Sequence, residues 1–295
     1  MLENKHPTDN QTRSEKYSQI LPPRPPLQSL SQQNVSSKPL QNKDPQQLKI
    51  YSEEIFKFLE FSENSFLTPP TYISQQTEIN HTSRAFLIDW IITIHGKFKL
   101  VQETLYITVN LIDRYLAKRS VTKKQLQLVG ITAIYIAAKY EEIYPPHARD
   151  FLLTADNAYT KQHLIKMEID MLKVSDFQIT FPTSWRFIEK YPEHTSNCRL
   201  LAEYILELSL VEYVMLHHKP SIQAAAVVYL SNLLFSKTYL WKIDEPGFLE
   251  VKECVKDLYK IFKASASHPL SSVREKYLRK RLEIQTYESK LEKPL

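Results

Sequence analysis

The most informative residues in this chain of 295 are charges placed where charge is costly. Ile165, Glu168, Ile169 and Leu172 fall at i, i+3, i+4 and i+7, so a helix puts the Glu168 carboxylate inside an apolar stripe. A charge in such a setting needs a partner. Lys139 closes an uncharged run that begins at Leu128, where it either complements a helix dipole or meets a carboxylate. Spacing alone leaves both readings open. Arg84 and Asp113 each lie at or near an apolar stripe on consecutive segments, a pattern best explained by an internal ion pair tying the first segment to the second.

Other chemistry finds no support. The sequence holds no GxGxxG, Walker loop, GxSxG or HExxH motif, so no catalysis and no cofactor are expected. His217 and His218 are adjacent and diverge on a helix, which makes them poor metal ligands. Cys198 and Cys254 have neither CxxC spacing nor a disulfide framework, and they fit a reducing intracellular setting. The basic run Arg274, Lys276, Arg279, Lys280 and Arg281 reads as a solvated helix face ahead of a docking patch for an anionic partner. Trp90 and Trp185 read first as core anchors.

These residues must be positioned by helices. Hydrophobic residues make up 43% of the chain, ample for a core, and only three glycines serve its whole length. That argues against hairpins and phosphate-cradling loops and for an all-α fold. A net charge of +5 is a mild excess, unlike the concentrated stripe of a nucleic-acid binder. The amino terminus lacks the pattern of a signal peptide, and no apolar run reaches membrane-spanning length, so a soluble protein is expected.

Residues 1–48 are rich in Gln, Ser, Asn and Pro and are expected to form a disordered tail. A short amphipathic helix follows, with Ile55, Phe58 and Leu59 on its apolar side. Phe86, Leu87, Trp90, Ile91, Ile94 and Phe98 mark a first long helix, and Leu105, Val109, Ile112 and Leu116 a second. A third, after a capping box at Thr122 and Gln125, is uncharged from Leu128 to Ala138 and belongs at the centre of a bundle. Gly130, Ala133 and Ala137 share one face of it, where a neighbour can come close. A short helix spans about 146–153, and Thr160 caps a fifth that runs to about Val174. Past Pro182 the cycle restarts, with helices expected near 183–191, 198–215, 219–236, 247–265 and 270–284. The reading is a weak tandem repeat of two five-helix bundles, with domains at 49–180 and 181–295.

The specific match lies in longer runs. SRAFLIDW at 83–90, LVQETLYITVNLIDRYL at 100–116, LQLVGITAIYIAAKYEEIYPP at 126–146, DNAYT at 156–160 and MEIDMLKVSDF at 167–177 together resemble the first cyclin box of A- and B-type mitotic cyclins. ELSLVEYVMLHHKPSIQAAAVVYLS at 207–231 resembles the second box, while QETLY and His95 favour B over A type. The resemblance implies a non-enzymatic regulatory subunit that pairs with a cyclin-dependent Ser/Thr protein kinase and holds its C-helix in the active position at the G2/M transition. The family's diagnostic Arg, Asp, Leu, Lys and Glu are matched by Arg84, Asp113, Leu128, Lys139 and Glu168. It implies that Arg84 and Asp113 pair internally and that Lys139 and Glu168 face the kinase. Tyr51, Ile55, Phe58, Tyr140, Phe177 and Ile179 would supply the apolar part of that interface.

The same resemblance implies a patch for docking substrates or inhibitors that carry Arg-x-Leu motifs, matched by Phe86, Leu87, Trp90 and Gln127. Ser83 stands where the family usually has Met, and Thr93 where it commonly has an acid, which implies weaker or altered docking. Arg24 and Leu27 fit the core of a destruction box read by a ubiquitin ligase. No nucleic-acid or membrane partner is implied, and the expected location is nucleus and cytoplasm. The alternative reading is a transcription-type regulator or scaffold on the same fold, which calls for a basic groove and a different first-box signature.

Overall fold

The computed structural model describes residues 51–191, 196–235 and 247–279, which are helical with no strand among them. The expectations for the tail, including Arg24 and Leu27, lie outside these residues, as does the chain beyond Arg279. The helices are α1 (Ser52–Glu63), α2 (His81–Phe98), α3 (Gln102–Leu116), α4 (Lys123–Glu141), α5 (Ala148–Leu153), α6 (Lys161–Val174), α7 (Ser184–Ile188), α8 (Ser196–Val211), α9 (Pro220–Phe235), α10 (Phe248–Ala264) and α11 (Ser272–Arg279). Helices α2–α6 form one set of five and α7–α11 a second, so the expected repeat is present with unequal members. The first helix of the second set has five residues against eighteen in α2.

Local chemistry fixes the ends. The Asn80 side chain accepts the Ser83 N–H at 2.8 Å and starts α2 ahead of its apolar stripe. Thr122 and Gln125 form the expected capping box on α4, with the Thr122 N–H 3.2 Å from Gln125 Oε1. Thr160 caps α6 by accepting the His163 N–H at 3.2 Å.

Helix α4 lies at the centre of the first set, against α2, α3 and α6, and α9 takes the same place in the second, against α7, α8 and α10. Every residue of α4 from Leu126 to Ala138 is buried except Gln127 and Tyr135, which are partly so. A Cβ on Gly130 would come 2.8 Å from Leu87 Cδ1, so the absent side chain is what lets α2 settle on α4. Helix α2 also packs against α8 and α11, which places it between the two sets.

Candidate functional site

Arg84 and Asp113 are each only about 2% exposed and form a buried bidentate pair. Arg84 Nε donates to Asp113 Oδ1 at 2.7 Å and Nη2 to Oδ2 at 2.8 Å. Tyr72 donates its hydroxyl to the same Oδ1 at 2.7 Å. Burial opposes the Arg84 charge, but Asp113 outweighs it and holds the guanidinium pKa above its ordinary value. The remaining nitrogen, Nη1, donates to the carbonyls of Leu210 and Val211 at the end of α8, 3.1 and 3.2 Å away. Sequence reasoning tied Arg84 to the second helix; the structure ties it to the second domain as well. A cation at two terminal helix carbonyls is favourable on dipole grounds.

Lys139 and Glu168 meet as an ion pair joining the end of α4 to α6, with Glu168 the more covered, its side chain 15% exposed. Lys139 Nζ also lies 4.2 Å from the ring centre of Tyr135. The stripe around Glu168 is not a core face. Ile165 and Ile169 are exposed, while Leu164 and Met171 carry α6 into the core. The carboxylate therefore sits in a solvent-facing apolar surface, with one lysine balancing it.

That surface continues along the chain after α6. The Tyr140 hydroxyl contacts Thr180. Arg114 donates to the carbonyls of Gln178, at 2.7 Å, and Ser175, at 3.1 Å, and so fixes the turn that follows α6. Asp176 and Phe177 both take left-handed backbone, with φ of +53° and +57°. An aromatic residue with positive φ is strained, and here the strain holds a ring that is 65% exposed. Ile179 is half-buried and packs inward. Tyr51, just ahead of α1, and Ile55 and Phe58 on it are exposed.

The docking positions separate. Phe86 is 57% exposed and borders a groove with Tyr213, Val214 and Leu270. Leu87 is 6% exposed and lies under α2 against Gly130, so it offers almost no surface. Trp90 and Gln127 are half-buried. The two departures from the family pattern have local partners. The Ser83 hydroxyl donates to Asn80 Oδ1 at 2.9 Å and reinforces the cap of α2. The Thr93 hydroxyl is 2.9 Å from that of Ser272 at the start of α11. Asp89 accepts the Ser272 N–H at 3.1 Å and its hydroxyl at 2.8 Å.

Sequence reasoning missed a buried polar cluster that locks α11 in place. Glu207, fully buried on α8, accepts from Lys276 at 2.6 Å, from Tyr277 at 3.0 Å and from Gln102 at 2.8 Å. Burial first, then Lys276, lowers the pKa of His95 to about 4. Its Nε2 lies 2.9 Å from the Val101 carbonyl, and its Nδ1 3.4 Å from Lys276, an arrangement that suits the neutral ring. The sequence pattern places Lys276 on a solvated face; it is instead drawn inward to Glu207. Among the described residues no His, Cys, Asp and Glu cluster is suited to a metal ion, and no helix is long and apolar enough to cross a membrane.

The model of the cyclin N-terminal domain matches residues 54–180, and that of the cyclin C-terminal domain matches residues 182–290. Cyclin-B2-1 of Oryza sativa subsp. japonica is 43% identical over 194 residues, covering 65% of this chain and 46% of that protein. The G2/mitotic-specific cyclin-B of Arbacia punctulata is 42% identical over 195 residues, covering 65% of this chain and 48% of that protein. The chain spans about half the length of the curated relatives it matches. Among solved structures, a viral cyclin from herpesvirus saimiri superposes with a TM-score of 0.56 at 19% identity, over 81% of this chain and 97% of that one. A chain of the yeast RNA Pol II CTD kinase CTDK-1 complex gives 0.56 at 13% identity, over 72% of this chain and 80% of that one, a likeness of fold alone.

Proposed function

We propose that this chain, which belongs to the cyclin family, is the regulatory subunit of a cyclin-dependent Ser/Thr protein kinase and activates it at the G2/M transition. The observation that carries the reading is the Lys139–Glu168 pair set in an exposed apolar surface, with Ile165, Ile169, Tyr140 and Phe177 around it. Such a surface suits a partner with apolar side chains and unpaired backbone groups at its centre. The named mitotic relatives support the cell-cycle assignment over the transcription-type alternative.

The mechanism is a shift in population. A kinase whose C-helix is rotated outward leaves the active-site Lys–Glu pair unmade. A surface that binds only the inward arrangement stabilises the competent state. Moving a population from about 1:99 to about 99:1 takes roughly a 10⁴-fold preference, about 5.5 kcal/mol. This requires a surface that does not yield. Lys139 stands on α4, the most enclosed helix of its bundle, and the strained Phe177 turn is pinned by Arg114. The chain itself contributes no reacting group.

Phe86, Trp90 and Gln127 form a secondary docking surface for Arg-x-Leu segments, to which the buried Leu87 contributes packing and almost no contact area. Thr93 makes that surface neutral where the motif's arginine would lie. Arg24 and Leu27 serve timed destruction, and the protein works in nucleus and cytoplasm. The primary test is capture of tagged full-length chain from dividing cells. A cyclin-dependent kinase is expected by mass spectrometry, together with raised histone phosphorylation. A catch without kinase and without that activity overturns the reading.

A further inference from the structure

Helix α1 precedes the first bundle in sequence, yet its described anchors are in the second. Phe56 packs on Phe187 of α7, with ring centres 6.4 Å apart. Glu60 pairs with Lys190 just past α7, at 2.5 Å. Glu63, 2% exposed, accepts the Ser221 N–H at 3.0 Å and the Ser221 hydroxyl at 2.7 Å. Ser221 is the second residue of α9, where an N–H has no partner within the helix. Pro220 before it has no N–H to satisfy. The Glu63 carboxylate thus closes the start of the central helix of the second bundle.

This placement breaks a local rule. Glu60 and Glu63 occupy the last turn of α1, which carries no basic residue, and anions there oppose the helix dipole. Burial also raises the Glu63 pKa, and Ser221 only partly offsets it. A locally unfavourable acid that is buried and doubly hydrogen-bonded across 158 residues of sequence has a tertiary role.

We infer that Glu63 is a positioning residue for the kinase-binding surface, through which the second domain sets the pose of the Tyr51, Ile55 and Phe58 ridge without touching the partner. The inference rests on the function proposed above. Phe56 points α1 at the second bundle through Phe187, and Glu63 fixes its far end, so the ridge is left with one orientation. Lys190 at Glu60 is a partly exposed pair and a weaker tie.

The test is a cycle of variants of the full chain, titrated against a purified mitotic cyclin-dependent kinase catalytic subunit. Glu63→Ala is expected to weaken association about ten-fold, the scale of one charge-assisted hydrogen bond. In a Tyr51→Ala/Ile55→Ala/Phe58→Ala background, which lacks the ridge, the same change is expected to alter association less than about two-fold. Amide exchange across residues 52–63 should quicken while that of α2–α6 stays unchanged. If Glu63→Ala does not fold, Ser221→Ala, which takes the hydroxyl donor away from the Glu63 carboxylate, is read in the same way. No loss in the native background, or an equal loss in both, overturns the inference alone. A native chain that does not bind the kinase overturns the proposed function with it.

Discussion

The Arg84 guanidinium holds both oxygens of Asp113, at 2.7 and 2.8 Å, and reaches with its third nitrogen to the last carbonyls of α8. One buried side chain thereby joins two helices of the first bundle to the second. Removing one partner strands the other charge away from water. Asp113→Ala is expected to cost about 3–5 kcal/mol in urea denaturation. The double change Arg84→Met/Asp113→Leu, which strands neither charge, should cost less than the single one. A double variant less stable than Asp113→Ala would contradict this view of the pair.

Gly130 sets the distance between α2 and α4. Alanine there gains about 1 kcal/mol of helix propensity and meets the ends of Leu87 and Ile91, at 2.8 and 3.2 Å. Those ends can turn, so Gly130→Ala is expected to change stability by no more than about 1 kcal/mol. Gly130→Val adds branches that neither neighbour can clear, and a loss of about 3 kcal/mol or more is expected. Equal stabilities for the two variants would show that α2 does not rest on this position.

Buried His95 and half-buried Glu103 titrate in opposite senses. His95, at about 4 against an ordinary 6.5, stays neutral while the unfolded chain takes a proton. Its contribution is therefore complete above pH 6.5 and is lost as pH falls towards 4, roughly 3 kcal/mol in all. Glu103 is raised by burial to about 6, with Thr183 donating to it at 2.8 Å. The native state takes its proton first, so stability rises as pH falls from 6 to 4.5, by roughly 2 kcal/mol. In the native chain the two effects partly cancel. His95→Gln is expected to become more stable on acidification across that window and Glu103→Gln markedly less stable. Parallel pH profiles for the two variants would rule this out.

Helices were legible because period and caps agree. Thr122 and Thr160 begin their helices as spacing implies, and the uncharged run of α4 proved central. Ends set by tertiary contact were less clear. The helix expected at 183–191 stops at Ile188, and the one expected at 198–215 ends at Val211 and gives way to a tighter turn at Tyr213–His217. Periodicity identified the apolar stripe at Glu168 but not which way it faces, since an exposed apolar face and a core face share one pattern. Leu87 and Phe86 are neighbours of similar character, yet Leu87 goes inward against Gly130 while Phe86 stays exposed. Glu63 and Glu207 were missed because their partners are distant in sequence. Two acids in the last turn of α1 were the available signal for Glu63.

The most direct test of the account exchanges the two charges, Lys139→Glu with Glu168→Lys. Because the two side chains pair with each other, the exchange keeps their mutual attraction and the fold while inverting what a partner meets. Helical circular dichroism and melting temperature are expected to stay near those of the native chain, and both association with the cyclin-dependent kinase and histone phosphorylation to be lost. A folded exchange variant that activates the kinase as well as the native chain would contradict the central claim.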